Sequence, residues 1–200
     1  MNEGAVTLND RRIRDALIAK RLGHHVDDDN SLVVHELGLA HARRRIDVAV
    51  INGVLHGYEI KSAVDSLDRL SDQLEMYGQS LQKLTLVVAD RHVEKAVESA
   101  PSWVGVLRAF QGVRGAVHFE VLRRTRRNPS VDRYVMAHLL WREEAQAILA
   151  GQGASKSDLR APRAVLYEAL TKTVTENQLT ACIKAAMMQR RTWRDHSRPS

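Results

Sequence analysis

The chain is predicted to fold as an α/β layered domain: a mixed central sheet flanked by helices, with an all-helical extension at its C-terminal end. Three observations lead there. Strand-like runs such as RIDVAVI and LTLVVA alternate with amphipathic helical runs as far as residue 123. Asn52-Gly53, a strong hairpin signal, joins two of the strand-like runs. From Arg123 onward the strand pattern gives way to helical periodicity.

Taken in order, Ile13, Leu17 and Ile18 stand at helical spacing behind an Asn9 or Asp10 cap, which predicts a first helix over 9–22 stopped by Gly23. HHVDDDN then reads as a solvated loop. Adjacent His24 and His25 point apart, and Asp27, Asp28 and Asp29 in succession do not converge on one ion. SLVVHEL, RIDVAVI and VLHGYEIK are three strands. A helix over 65–81 puts Leu67, Leu70, Leu74, Tyr77 and Leu81 on one face. LTLVVA at 84–89 is a buried strand, RHVEKAVESA a short helix ended by Pro101, and WVGVLRAF with AVHFEVLRR a pair of strands about the turn at Gly112 to Gly115. RRTRRNPS is a basic linker. VDRYVMAHLLWREEAQAILAGQ reads as one long helix, and APRAVLYEAL and ENQLTACIKAAMMQRR as two more. The expected division is therefore 1–123 and 124–200.

At 200 residues, 44% hydrophobic and 27% charged, the chain can bury a full core, and intrinsic disorder is excluded for its body. No apolar window approaches the length of a membrane span, and Cys182 has no second cysteine to pair with, so a cytoplasmic, reducing location is expected. The net charge of +6 is uneven: 15 basic against 17 acidic residues over 1–121, and 15 against 7 over 122–200. An Arg-rich C-terminal part suits phosphate neutralisation, and equally a solvated helical surface or a homodimer or protein-partner module. Trp103, Trp141 and Trp193 are too scattered for a base-stacking platform and read as core or interface anchors.

The chemistry-bearing stretch is RRRIDVAVINGVLHGYEIKS, residues 43–62. Ile46, Val48 and Val50 alternate with Asp47 and Ala49, and Tyr58 and Ile60 with Glu59 and Lys61, so period two sends the apolar set to one face and the charged set to the other. A two-residue turn at Asn52-Gly53 would leave Asp47 and Glu59 on opposite faces. A three-residue loop with Gly53 left-handed, or a bulge, makes them neighbours. Paired buried carboxylates repel, and a divalent cation relieves the conflict. Hard oxygen ligands suit Mg²⁺ or Mn²⁺ better than Zn²⁺.

Asp47 on one strand, Glu59-Ile60-Lys61 on the next, and Gln73-Leu74-Glu75-Met76-Tyr77 on the following helix resemble the motif of the PD-(D/E)xK nuclease superfamily, with its restriction-endonuclease-like fold. The broader run through QLEMYGQ, and more loosely PSWVGV and LWREEAQAILAGQG, is similar to an uncharacterised bacterial family assigned to that superfamily. Ile46 stands where the eponymous motif has Pro. The resemblance implies metal-assisted phosphodiester hydrolysis, with DNA the expected nucleic acid. Asp47 and Glu59 would be catalytic and metal-binding, with Glu36 and the Ile60 carbonyl completing the metal site. Lys61 would orient water or stabilise developing charge. Gln73 and Tyr77 would support the site or contact nucleic acid. Arg69, four residues before Gln73, is spaced to reach a phosphate but reads first as part of a solvated helix face, and Arg43, Arg44 and Arg45, leading into the metal-bearing strand, suit substrate backbone and plain solvation equally. Tyr77 also lies on the Leu70 and Leu74 stripe, which leaves core packing open for it. A nuclease-fold protein that binds nucleic acid without cutting it is the other reading of these residues.

Overall fold

A computed structural model describes residues 8–39 and 44–196, with the backbone alone described over 191–196. Six strands, β1 (Leu32–Leu39), β2 (Arg44–Ile51), β3 (Leu55–Lys61), β4 (Lys83–Ala89), β5 (Gly105–Gln111) and β6 (Val117–Arg123), form one sheet in sequential order. The pairs β1–β2, β2–β3 and β5–β6 are antiparallel, while β3–β4 and β4–β5 are parallel. The sheet is mixed because α3 (Leu70–Ser80) and α4 (Val93–Ser99) supply the long crossovers that parallel pairing requires.

Both faces of the sheet are buried. On one, α1 (Asp10–Leu17) and the turns after it set Ile13, Leu17 and Leu22 against Val48, Val50, Tyr58, Ile60, Val87 and Leu107. On the other, Ala49, Ile51, Leu55, Leu84 and Leu86 pack with Leu70, Leu74 and Tyr77 of α3. Helices α5 (Arg133–Ala137), α6 (Arg142–Gly151), α7 (Arg163–Thr173) and α8 (Glu176–His196) add Met136, Leu149, Leu170 and Ile183 to that same core. None of the described helices is long and apolar enough to cross a membrane.

Several predicted boundaries move, each for a local reason. Asn9 caps α1 as expected, accepting from the Arg12 N–H at 3.0 Å. Gly23 does not stop the helix. A π-helical turn (Ile18–Leu22) widens it, and α2 (Gly23–Val26) carries His24 and His25. The spacing of Leu17 and Leu22 explains the turn: five residues bring two side chains to one face only when the helix is locally underwound. Helix α3 begins at Leu70, later than periodicity suggested, because the Asp65 carboxylate takes the Ser62 N–H and hydroxyl at 2.7 and 2.6 Å and holds that segment in turns.

The long helix expected over 131–152 is two, α5 and α6, broken at Leu140-Trp141. Glu144 accepts the Trp141 N–H at 2.7 Å, and the carbonyls released at the break go to Arg190 (Leu139, 3.0 Å) and Tyr167 (Leu140, 2.5 Å). The Trp141 N–H is answered within α6 and the two carbonyls from α8 and α7, which is why a helical sequence tolerates the break.

Gly105, at the start of β5, is required by contact. A Cβ there would stand 2.0 Å from the Thr125 hydroxyl and 2.9 Å from the Thr125 backbone nitrogen. Gly105→Ala is expected to destabilise the fold by about 1–3 kcal/mol, because a backbone neighbour cannot rotate away. The midpoint of urea denaturation measures it, and an unchanged midpoint would show that β5 and the segment after β6 separate freely.

Candidate active site

The hairpin between β2 and β3 decides the site. Ile51 pairs with Leu55, which leaves Asn52, Gly53 and Val54 as a three-residue loop, and Gly53 has φ +92°. The register runs back to Val48 opposite Tyr58 and places Asp47 beside Glu59. The ladder stops there. The Asp47 Oδ2 accepts the Ile60 N–H at 2.7 Å, so a side chain replaces the next rung and the two strands part around the carboxylates.

β1 is interrupted at the same level. Its pairing with β2 omits Glu36, which adopts φ +51°. Such a left-handed conformation costs a non-glycine residue on the order of 1–3 kcal/mol. The turn flips the facing of the strand: Leu37, Leu39 and their β2 neighbour Ile46 lie in the α3-side core, as do Leu32 and Ala49 before it. The simple alternation expected for Ile46, Val48 and Val50 therefore fails, since Ile46 packs on the face opposite the other two.

Glu59, Lys61 and Gln73 form a closed triangle. Lys61 Nζ lies 2.9 Å from Glu59 Oε1 and donates to Gln73 Oε1 at 2.9 Å, while Gln73 Nε2 donates to Glu59 Oε1 at 2.9 Å. The Tyr77 hydroxyl donates to the Arg45 carbonyl at 2.9 Å and stands 3.4 Å from Gln73 Nε2. Tyr77 is fully buried, so it packs in the core and braces the site at once. Glu59 is also buried, and its Oε2 has no hydrogen-bond partner among the described residues. A buried carboxylate oxygen without a donor is costly.

Arg14, and Asp10 in a role beyond the candidate cap, also stand at the site. The Arg14 guanidinium reaches Glu36 at 2.6 Å, Asp10 at 3.1 Å and Asp47 at 3.2 Å. Their i, i+4 spacing on α1 was visible, but nothing local says that this face meets β1 and β2. Among the described residues no three His, Cys, Asp or Glu side chains stand ready as a metal cage. Asp10, Glu36 and Asp47 converge instead on the Arg14 guanidinium.

The electrostatics follow. Burial, and then the Glu59 charge, push the Asp47 carboxyl up to about 7, against the pull of the Ile60 N–H. Burial raises Glu59 also, although Lys61 and Gln73 oppose it. Burial and the neighbouring carboxylates raise the Tyr77 phenol, so it stays a donor. Arg14 is partly buried, yet the Glu36 hydrogen bond and the Asp10 and Asp47 charges raise it further and keep it a cation.

The structure brings together Asp47, Glu59, the Ile60 backbone, Lys61, Gln73 and Tyr77, and brings Glu36 to the same level through Arg14. Arg69 is exposed at the start of α3, where its carbonyl accepts the Gln73 N–H at 3.0 Å. Arg45 is exposed and contributes its carbonyl. Arg43 and the Trp193 side chain lie outside the described residues. Asp28 takes the Asn30 N–H and the Ser31 hydroxyl at 2.9 and 2.8 Å, which makes it a turn former. Much of the basic excess after residue 122 is engaged within the chain. Arg123 caps the Val97, Ala100 and Val104 carbonyls, Arg127 pairs with Glu176, and Arg190 pairs with Glu144 and covers the Trp141 ring.

With Asp47 titrating near 7, the native state holds a proton between about pH 4 and 7 that the unfolded chain has released. Stability should therefore fall as pH rises through that window, by up to about 1.4 kcal/mol per pH unit. Asp47→Asn, which keeps an oxygen for the Ile60 N–H, should flatten the slope. Urea denaturation of both proteins in EDTA across that range tests this, and parallel slopes would exclude Asp47 as the group responsible.

Comparison with known proteins identifies relatives. The family model described as bacteriophage P4 protein cII matches residues 5–198. Protein cII of Enterobacteria phage P4 is 31% identical over 129 residues, which are 64% of this chain and 48% of that protein, so the chain spans about half the length of this curated relative. Among solved structures, the SPO1766 protein of unknown function from Silicibacter pomeroyi aligns with TM-score 0.40 and 21% identity, over 58% of this chain and 71% of that one.

Proposed function

We propose that this chain, which belongs to the bacteriophage P4 protein cII family, is a divalent-metal-dependent nuclease with a restriction-endonuclease-like core that hydrolyses phosphodiester bonds in DNA. The observation that carries the reading is the buried, half-unpartnered Glu59 beside Asp47, with Lys61 attached to the same carboxylate. Counting Asp10 and Glu36 with Asp47 and Glu59, four acids stand against Arg14 and Lys61, and a cation would stabilise the excess negative charge.

The donor set fits a hard cation. Asp47 Oδ1, the free Oε2 of Glu59 and the Ile60 carbonyl are all oxygens, with Glu36 within reach of the same cluster through Arg14. Mg²⁺ or Mn²⁺ held there would act as a Lewis acid on the phosphoryl oxygen and acidify a bound water. The chain itself supplies the remaining requirements. Lys61 presents an ammonium fixed by Glu59 and Gln73, suited to orient a water or to stabilise charge growing on the phosphate. Gln73 holds that ammonium and Glu59 together through one hydrogen bond to each, and Tyr77 fixes α3 to β2 through the Arg45 carbonyl. The helices that follow β6 would act as an extension carrying backbone contacts, or a partner or second copy of the chain.

A second reading has its own observation. Arg14 lies against three carboxylates at hydrogen-bond distance and already neutralises part of the cluster, as in a nuclease-fold protein that binds nucleic acid without cutting it. Cleavage separates the two. Supercoiled and single-stranded circular DNA should be cut in Mg²⁺ or Mn²⁺, and EDTA, Asp47→Ala or Lys61→Ala should each lower the rate by about 10²-fold or more. DNA binding without cutting under every condition would favour the second reading, and cutting unchanged in both variants would exclude this site.

A further inference from the structure

On the sheet face opposite Glu59 and Lys61, a cleft of about 430 Å³ opens between the end of the first helical segment and strands β3 to β6. It is lined by Arg21, His56, Tyr58, Thr85, Arg124 and Thr125, among others, with no acidic residue in its wall. Nothing in the candidate nuclease site uses it, and Tyr58 and His56 lie about 10 to 16 Å back along β3 from Lys61.

Its floor is a hydrogen-bonded relay. The Tyr58 hydroxyl is 3.2 Å from His56 Nδ1, His56 Nε2 is 2.8 Å from the Thr85 hydroxyl, and Thr85 is 2.6 Å from the Thr125 hydroxyl. His56 is neutral, since burial first, and then Lys83 and His25, lower its imidazole to about 3. Three hydroxyls and one neutral imidazole carry four polar hydrogens, and three contacts consume three of them. Whichever way the relay runs, one hydrogen is left over on Tyr58, Thr85 or Thr125, and all three line the cleft. The relay therefore keeps one donor hydrogen in the wall of the cleft.

The sequence pays in two places for this geometry. Gly105 lacks the Cβ that would otherwise occupy the position of the Thr125 hydroxyl. The π-helical turn that buries Leu22 also brings Arg21 to the cleft, close enough to act on the Tyr58 phenol. Arg21 and Arg124 are both exposed, and neither forms an ion pair among the described residues. Two guanidinium forks and a hydroxyl donor, without an opposing carboxylate, match the several acceptor oxygens of a phosphoryl group.

We propose that this cleft is a binding site for a phosphate-bearing ligand, separate from the carboxylate site and independent of whether that site cuts. The 200-residue chain in EDTA and at constant chloride would be titrated with sodium phosphate, 5′-thymidine monophosphate and an oligothymidylate lacking terminal phosphates, with binding read by calorimetry. Saturable binding of at least one probe is expected, weakened tenfold or more in Arg21→Ala/Arg124→Ala and lowered in Thr125→Val. Binding of the monophosphate but not the oligomer would assign the site to a terminal phosphate, and the reverse to a backbone diester. Both arginines are at the surface, so the double variant should keep its circular dichroism and melting temperature. Failure of all three probes to saturate, or equal affinity in the double variant, would overturn the proposal.

Discussion

The site depends on a single hydrogen bond, from the Ile60 N–H to the Asp47 carboxylate. Had β2 and β3 continued their ladder, Asp47 and Glu59 would have faced each other across a closed sheet, two buried anions with no room between them. By taking the next backbone donor itself, Asp47 ends the pairing and satisfies Ile60. The interruption of β1 at Glu36 lies at the same level, so three adjacent strands open together. A gap in a sheet leaves polar backbone unpaired, and here side chains fill the vacancy.

What surrounds the opening holds it rigid. Helix α3 contributes Gln73 and Tyr77 one turn apart, and both reach back to the strands, while Leu70 and Leu74 on the same stripe lock the helix to the core. From the other side α1 brings Arg14 into a cluster of acids while Ile13 and Leu17 anchor it. The acids are thus clamped between two helices, each secured by apolar contacts independent of the charges. That arrangement keeps like charges close, which isolated loops could not do.

The C-terminal helices answer a different need. On the α3-side face of the sheet, α5 to α8 extend the core with Met136, Leu149, Leu170 and Ile183. Gln82 ties the layers together: its side-chain oxygen accepts the Leu55 N–H at 2.7 Å and the Thr180 hydroxyl at 3.1 Å, and its amide donates to Glu176. The basic residues of this part are largely spent on carbonyl caps and ion pairs, so net charge by itself overstates the surface available to an anion.

Period-two and period-3.6 patterns, a cap at Asn9, the loop length at Asn52-Gly53 and the spacing of Glu59, Lys61, Gln73 and Tyr77 are local properties, and the sequence by itself determined the strand and helix order and the side-by-side placement of Asp47 and Glu59 from them. The break at Leu140-Trp141 could not be read locally, because the groups that satisfy it, Tyr167 and Arg190, arrive from distant helices. The face switch of β1 and β2 was hidden because one left-handed residue, Glu36, shifts the alternation by one without any glycine to announce it. Arg14 in the acid cluster and the relay from Tyr58 to Thr125 were likewise decided only by tertiary structure. Hydrogen bonds and ion pairs between side chains more than 20 residues apart leave no periodic trace, since each partner alone is an ordinary polar residue on an amphipathic element.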